Sequence, residues 1–374
     1  MLIKNLKIYT IDGSFRDGEL AVANGIFVQA DSQQNEEIFD GQGLYAIPGL
    51  IDLHLHGALG GDASDGFMKA LEKMASYELS QGVTSICPTT MTIPLGELKV
   101  AVRTIKEFAN KNVKYASRIL GINMEGPFIS PVKKGAQKEQ DILKADVGVF
   151  QELNDECGGM IKLVDLAPEM DGSLEFIASV KDKVRISLAH TNASYEEASK
   201  AFAIGAKHVT HLYNAMPPLH HREPGVIGAA FDNTYVKCEL IVDGVHSHPA
   251  VVRASFALFG YERIILISDS MRATGLADGE YTLGGQKVIV KGNEARLEDG
   301  TIAGSVTNLM SCLRKAVQFG IPLGQAVYSA STNPALALGV DDKLGSLDVG
   351  KIADFVLLDE DLNIKAVYLA GEKI

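Results

Sequence analysis

The 374-residue chain predicts an α/β fold: a (β/α)8 barrel of the TIM type, with a small β-sandwich domain built from both chain termini. Three observations predict it. Short apolar segments alternate with amphipathic ones through the middle of the chain. Both ends read as strands with turn punctuation and no helical period. Most of the nine histidines fall where an apolar segment stops. That is the rim on which barrels of this type build their sites.

Composition narrows the class before any motif is read. The chain is 46% hydrophobic and 22% charged with mean hydropathy +0.09, which excludes disordered and collagen-like chains. Its 37 glycines suit many tight βα turns. A net charge of −12 and a pI near 5.3 argue against a nucleic-acid binder. A local Arg or Lys could still receive an anionic substrate. No apolar run approaches the roughly 18 residues of a membrane helix, and the opening MLIKNLKIYTIDG lacks a signal-peptide core. Four scattered cysteines without a CxxC pair indicate neither a disulfide frame nor a cysteine zinc site. A cytoplasmic location is the expectation.

In chain order, Leu2–Thr10, Glu19–Ala23 and Ile26–Ala30 are short strands broken at Asp12-Gly13 and Asn24-Gly25. The tail matches this, with strands at Ala353–Leu358 and Ile364–Leu369. Residues 1–47 and 341–374 are therefore assigned to the small domain and 48–340 to the barrel. Barrel strands are expected at Leu50–His56, Val83–Pro88, Arg118–Met124, Ile161–Ala167, Val184–Ala189, His208–Tyr213, Val236–Val242 and Arg263–Ser268. Helices are expected at Phe67–Gln81, Leu95–Asn110, Leu174–Lys181 and Tyr195–Ala203, and after the barrel at Asn308–Phe319 and Leu323–Ser331. A Gly-rich stretch of alternating Val and Ile, near 280–303, reads as a β-hairpin insertion.

The chemistry sits at strand ends. Strand alternation puts Asp52, His54 and His56 on the interior face, with Leu53 and Leu55 towards the helices. An HxH pair alone is more often a structural or surface feature, but here it ends the first strand after Pro48-Gly49-Leu50-Ile51-Asp52, where two imidazoles suit a divalent metal. Glu125 ends an apolar strand before Gly126-Pro127, and a carboxylate there needs a cation. His190 and His211 lie one βα unit apart on neighbouring strands, and together with Glu125 they form a metal-ligand cluster. Asp269 ends the eighth strand, placed to move protons beside an activated water. His246 ends the seventh, where its ring can donate to a substrate oxygen. His208 reads as a packed, hydrogen-bonded residue.

Over essentially its full length the chain resembles the N-acetylglucosamine-6-phosphate deacetylase family of the amidohydrolase superfamily. The blocks that carry the resemblance are PGLIDLHLHG, MEGPFISPVKKGAQ, LAHTNAS, HVTHLYNAMPPLHHREPG, VDGVH, ISDSMRATG, DGTIAGS and LGSLDVGKIADFVLLD. The PGLIDLHLHG and GKIAD elements are shared across the superfamily, whereas EGPF and HLYNAMPPLHHREPG are far more specific.

The resemblance implies Glu125, His190 and His211 as ligands of a principal metal and Asp269 as the acid–base. It implies substrate contacts at Ala136, Asn214, Ala215, His246, Ile302, Ala303 and Gly304. Arg222 would hold a phosphate, supplied from a neighbouring subunit of a homodimer or homotetramer. The implied cofactor is one or two divalent ions (Zn, Fe, Mn or Co), because this chain keeps both His54 and His56 where some members lose them. It has Gln137 where some members carry His. The implied reaction removes acetate from N-acetyl-D-glucosamine 6-phosphate in amino-sugar catabolism and cell-wall sugar recycling, with no nucleic-acid or membrane partner. Alternatives are the epimeric N-acetylgalactosamine 6-phosphate, a cyclic-amide hydrolase or deaminase, and a non-catalytic scaffold. Many cyclic-amide hydrolases need a carboxylated lysine on the fourth strand, where this chain offers only Lys162, at the wrong end.

Overall fold

The computed structural model describes residues 1–30 and 37–374; residues 31–36, inside the span assigned to the small domain, lie outside the description. The two chain ends share one eight-stranded sheet. Leu2–Tyr9 pairs antiparallel with Phe15–Ala23 and parallel with Tyr45–Pro48, which in turn pairs antiparallel with Phe355–Leu358. The rings of Phe27 and Phe355, 5.8 Å apart, pack the N-terminal strands against the C-terminal ones. Burial of Ile3, Leu6, Ile8, Val22, Ile47 and Val356 supplies the cohesion of this sheet.

The central chain forms the barrel. Its strands are β1 (Leu50–Leu55), β2 (Val83–Thr90), β3 (Ile122–Glu125), β4 (Ile161–Leu166), β5 (Arg185–Leu188), β6 (His208–Val209), β7 (Lys237–Ile241) and β8 (Ile264–Ile267). They pair in parallel in that order from β1 to β8. The ring closes where the Asp269 N–H donates to the His54 carbonyl at 2.9 Å and the His56 N–H to the Ser270 carbonyl at 2.8 Å. The expected third strand divides: Arg118–Ile119 pairs only with β2, and β3 starts at Ile122. β6 stops at Val209 because His211 and Tyr213 take left-handed φ values of 30° and 78°.

One expectation about β1 is corrected. Its pairing with β2 is irregular between Asp52 and Leu55, so the simple alternation breaks there. Leu53 packs with Ile51, Ile241, Ile265 and Ile267 in the barrel interior. Asp52 faces outward, near enough to Glu78 of helix Met68–Ser80 and Cys312 of helix Leu309–Gln318 to shift both groups electrostatically. The irregularity returns His54 to the interior, two residues from an aspartate that is not there.

Helices flank the strands where caps and periodicity start them. Ser194 and Glu197 form a reciprocal capping box on Tyr195–Ile204, Asp146 caps Val147–Glu156, and Asn308 caps Leu309–Gln318. Helices Gly225–Asp232 and Pro249–Phe259 complete the sixth and seventh units. The insertion contains a third strand beyond the expected hairpin: Gly279–Leu283, Gln286–Lys291 and Glu294–Leu297 form an antiparallel meander. Beyond Leu323–Val327 the helix continues as a π-turn over Tyr328–Thr332 and then Asn333–Leu338. All four cysteines are buried and unpaired. Among the described residues no helix is long and apolar enough to cross a membrane.

Candidate active site

A cavity of about 350 Å³ opens at the C-terminal end of the barrel. His56, Glu125, Ala136, His190, His211, Asn214, Ala215, His246, Asp269, Ile302 and Gly304 line it. His54 lies fully buried behind this wall, and Ala303 is buried beside it. Arg222 is exposed and lines a separate groove with Tyr195, Pro217 and His220. It does not reach the cavity of its own chain.

Glu125 is the hub. Its Oε1 lies 3.0 Å from Nε2 of His190, 3.0 Å from Nε2 of His211 and 3.5 Å from Nε2 of His54. Its Oε2 lies 3.3 Å from Nε2 of His56 and accepts a hydrogen bond from the Gln137 amide at 2.7 Å. Gln137 is anchored in turn, its Oε1 accepting from the Thr92 N–H at 2.7 Å. Strained backbone aims these groups inward: His190, His211 and Asp269 all adopt left-handed φ, at 42°, 30° and 50°. At Gly126 (φ 91°) an added Cβ would meet Thr92 Oγ1 at 2.1 Å, so only glycine lets the chain turn directly after the hub.

The protons on these rings can be deduced. Nδ1 of His56, His190 and His211 each faces a backbone carbonyl, of Thr89, Lys133 and Asn214, at 3.1, 3.0 and 3.2 Å. A carbonyl only accepts, so each Nδ1 carries a hydrogen and each ring turns its Nε2 towards Glu125, free to meet a proton or a metal ion. His54 follows the same pattern, with its Nδ1 3.1 Å from Glu239 Oε2. Nε2 of His190 and His211 stand only 3.2 Å apart, and buried Nε2 of His54 has no hydrogen-bond partner among the described residues. Four imidazole nitrogens converging on one buried carboxylate suit a shared cation.

Charge leads to the same requirement. Burial disfavours ionisation of Glu125, yet the surrounding His54, His190 and His211 hold it well below the usual carboxylate range. Burial likewise opposes charge on the His54 ring, but Glu125, Glu239 and Asp269 push it up to about 10. Three buried carboxylates therefore call for positive charge, which divalent ions would supply. Two ligand groups of suitable geometry share Glu125: His54, His56 and Glu125, and Glu125, His190 and His211. The donor set, imidazole and carboxylate, fits a first-row divalent metal.

Asp269 faces both groups, its Oδ1 3.3 Å from Nε2 of His56 and 3.8 Å from Nε2 of His54. Burial opposes its charge, but the contact with His56 prevails and lowers its pKa, so it is ionised at neutral pH. His246 is backed by Asp243, whose Oδ2 lies 2.7 Å from Nδ1 while Oδ1 accepts from the His246 N–H. His208, read as a satisfied polar residue, is fully buried and bonded to Glu239 at 3.1 Å. Lys162 is exposed, at the opposite end of β4 from the cavity, whereas Glu125 lines it. Sequence reasoning left out Met91, Lys133, Leu283 and Thr301 of the cavity wall, and Glu239 beneath it. Glu239 alone carried a signal, as a lone acid within an apolar strand.

The Amidohydrolase family pattern matches residues 45–374. The chain is 39% identical to N-acetylglucosamine-6-phosphate deacetylase of Bacillus subtilis, over 97% of this chain and 94% of that protein. It is 34% identical to N-acetylgalactosamine-6-phosphate deacetylase of Escherichia coli O157:H7, over 99% and 98%. A Mycobacterium smegmatis N-acetyl-D-glucosamine-6-phosphate deacetylase variant, solved with N-acetyl-D-glucosamine-6-phosphate, superposes with a TM-score of 0.92 at 33% identity, covering 100% of this chain and 98% of that one. The barrel, the histidine–glutamate cluster at its rim and these full-length relatives place the chain in the amidohydrolase family, among its amino-sugar phosphate deacetylases.

Proposed function

We propose that this chain hydrolyses the acetamide of N-acetyl-D-glucosamine 6-phosphate, giving D-glucosamine 6-phosphate and acetate. The observation that carries the reading is Asp269, its Oδ1 3.3 Å from Nε2 of His56, facing two candidate metal-holding groups that share Glu125 in one cavity. A divalent metal (Zn, Fe, Mn or Co), when bound, polarises the acetamide carbonyl and lowers the pKa of attacking water from near 16 towards about 7. Glu125, His190 and His211 would hold the principal ion, and His54 and His56 with Glu125 would hold a second and weaker one.

This chain's residues do the rest. Asp269 takes the proton as water attacks the carbonyl carbon, then delivers it to nitrogen as the C–N bond breaks. His246, held by Asp243, presents Nε2 to a substrate oxygen and orients the acetyl group. Asn214, the Ala215 backbone, Ala136 and the Ile302-Ala303-Gly304 segment position the sugar. Arg222, outside its own cavity, holds the phosphate of a neighbouring protomer in a homodimer or homotetramer, giving an acidic protein a charge-assisted grip on an anionic substrate. The work is that of a cytoplasmic catabolic and recycling enzyme, built as a barrel over residues 48–340 beside a small terminal domain.

A second reading, the N-acetylgalactosamine 6-phosphate epimer, is favoured by the Escherichia coli relative. Comparing kcat/KM on the two epimers with one metal-defined preparation decides between them. A higher value on the gluco compound supports the proposal, and a higher value on the galacto compound replaces it.

A further inference from the structure

Glu239 sits in the middle of β7 with apolar neighbours Cys238, Leu240 and Ile241, fully buried and away from any Lys or Arg ion pair among the described residues. Burying an uncompensated carboxylate costs several kcal/mol on the usual scale, so its partners require explanation. They come from two separate strands. Oε2 lies 3.1 Å from Nδ1 of His54 at the end of β1 and accepts from the His211 N–H at 3.3 Å. Oε1 lies 3.1 Å from Nε2 of His208, at the start of β6. β1 is not a neighbour of β6 or β7 in the sheet, so this carboxylate ties them across the barrel interior.

The contrast with the other rings is the informative feature. His56, His190 and His211 give their Nδ1 hydrogens to neutral backbone carbonyls. Of these four rings, His54 alone among the described residues gives its Nδ1 hydrogen to a carboxylate. An anionic acceptor fixes the tautomer more firmly and makes the opposite nitrogen a stronger donor. We infer that Glu239, steadied by His208, is the positioning residue that makes His54 a metal ligand, holding its Nε2 towards Glu125 and Asp269. Glu239 therefore governs the His54–His56–Glu125 ion more than the Glu125–His190–His211 ion. This rests on the two-ion reading given above.

The test is zinc binding, measured by calorimetry and elemental analysis on metal-stripped full-length protein, for wild type and Glu239→Gln, with circular dichroism alongside. The amide keeps the volume of the carboxylate but removes its charge. The expected result is two ions in wild type, and in the variant an unchanged first ion with the second weakened about 10- to 100-fold. Equal affinity for both ions in wild type and a folded variant overturns the role of Glu239. A wild type that saturates at one ion overturns the two-ion reading itself, a failure visible without any variant. Should Glu239→Gln not fold, nitrogen-15 spectra of histidine-labelled, zinc-loaded wild type carry the test, with His54 assigned by loss of its signal in His54→Gln. Hydrogen on Nδ1 of His54 supports the inference, and hydrogen on Nε2 overturns it.

Discussion

Asp269 concentrates the chemistry in one side chain, being ionised, buried and aimed at both ligand groups. Asp269→Asn keeps its size but cannot take a proton, so kcat should fall by about 10²–10⁴-fold while substrate affinity stays near wild type. Steady-state kinetics check this; a variant keeping more than about a tenth of kcat removes Asp269 from proton transfer. Replacing His54 and His56 together by Ala should lower bound metal from about two ions to about one without loss of fold, by counting ligands. Elemental analysis after reconstitution reads it. His54, His56, Glu125, His190, His211 and Asp269 were legible because each interrupts or ends an apolar run. What orients them was not. The carbonyls of Thr89, Lys133 and Asn214 that set the tautomers belong to the backbone, and a backbone acceptor leaves no mark in sequence. The outward turn of Asp52 was hidden too, since strand alternation assumes a regular ladder and β1 has none beyond Asp52.

At the scale of an element, helix Met68–Ser80 carries an anomaly on its packed face. Glu78 is fully buried with neither carboxylate oxygen hydrogen-bonded among the described residues, and burial, with Asp52 adding to it, raises its pKa well above the usual range. It is neutral in the fold at pH values where the unfolded chain ionises it. Its favourable contribution is therefore complete below about pH 4.3, the ordinary glutamate value, and is lost as pH rises towards the folded-state value. Glu78→Leu removes a buried polar group without a partner and should stabilise the protein by about 1–3 kcal/mol at pH 8, with a smaller gain at pH 5. Thermal melts at the two pH values test this, and a variant less stable than wild type at pH 8 contradicts it. Elements with clean periodicity were legible, as Leu95–Asn110 illustrates with its apolar stripe of Leu98, Val102, Ile105 and Phe108. Gly225–Asp232 was not, because Gly225 and Gly228 lower its helix propensity and packing of Val226, Ile227 and Ala230 overrides that.

For the whole molecule, the alternation of strands and helices and the strand-like ends were enough to read the architecture. The third strand of the insertion escaped because Glu294–Leu297 is short and mixed in polarity. Arg222 belongs to this scale, as it lies outside the cavity of its own chain. Arg222→Ala should cost about 1.5–3 kcal/mol, or about 10- to 100-fold in kcat/KM, on the phosphorylated substrate and little on N-acetylglucosamine. If the residue acts across a two-fold dimer, mixing Arg222→Ala and Asp269→Asn protomers should restore about a quarter of wild-type activity, because half of random dimers are mixed and each holds one intact site. No recovery in demonstrably mixed dimers would return Arg222 to its own chain. The central claim is tested most directly by adding divalent metal stepwise to stripped protein and measuring acetate and free amine released from N-acetyl-D-glucosamine 6-phosphate. Stripped protein should release neither, and reconstituted protein both in equal amounts; folded, metal-loaded protein that releases no acetate would contradict it.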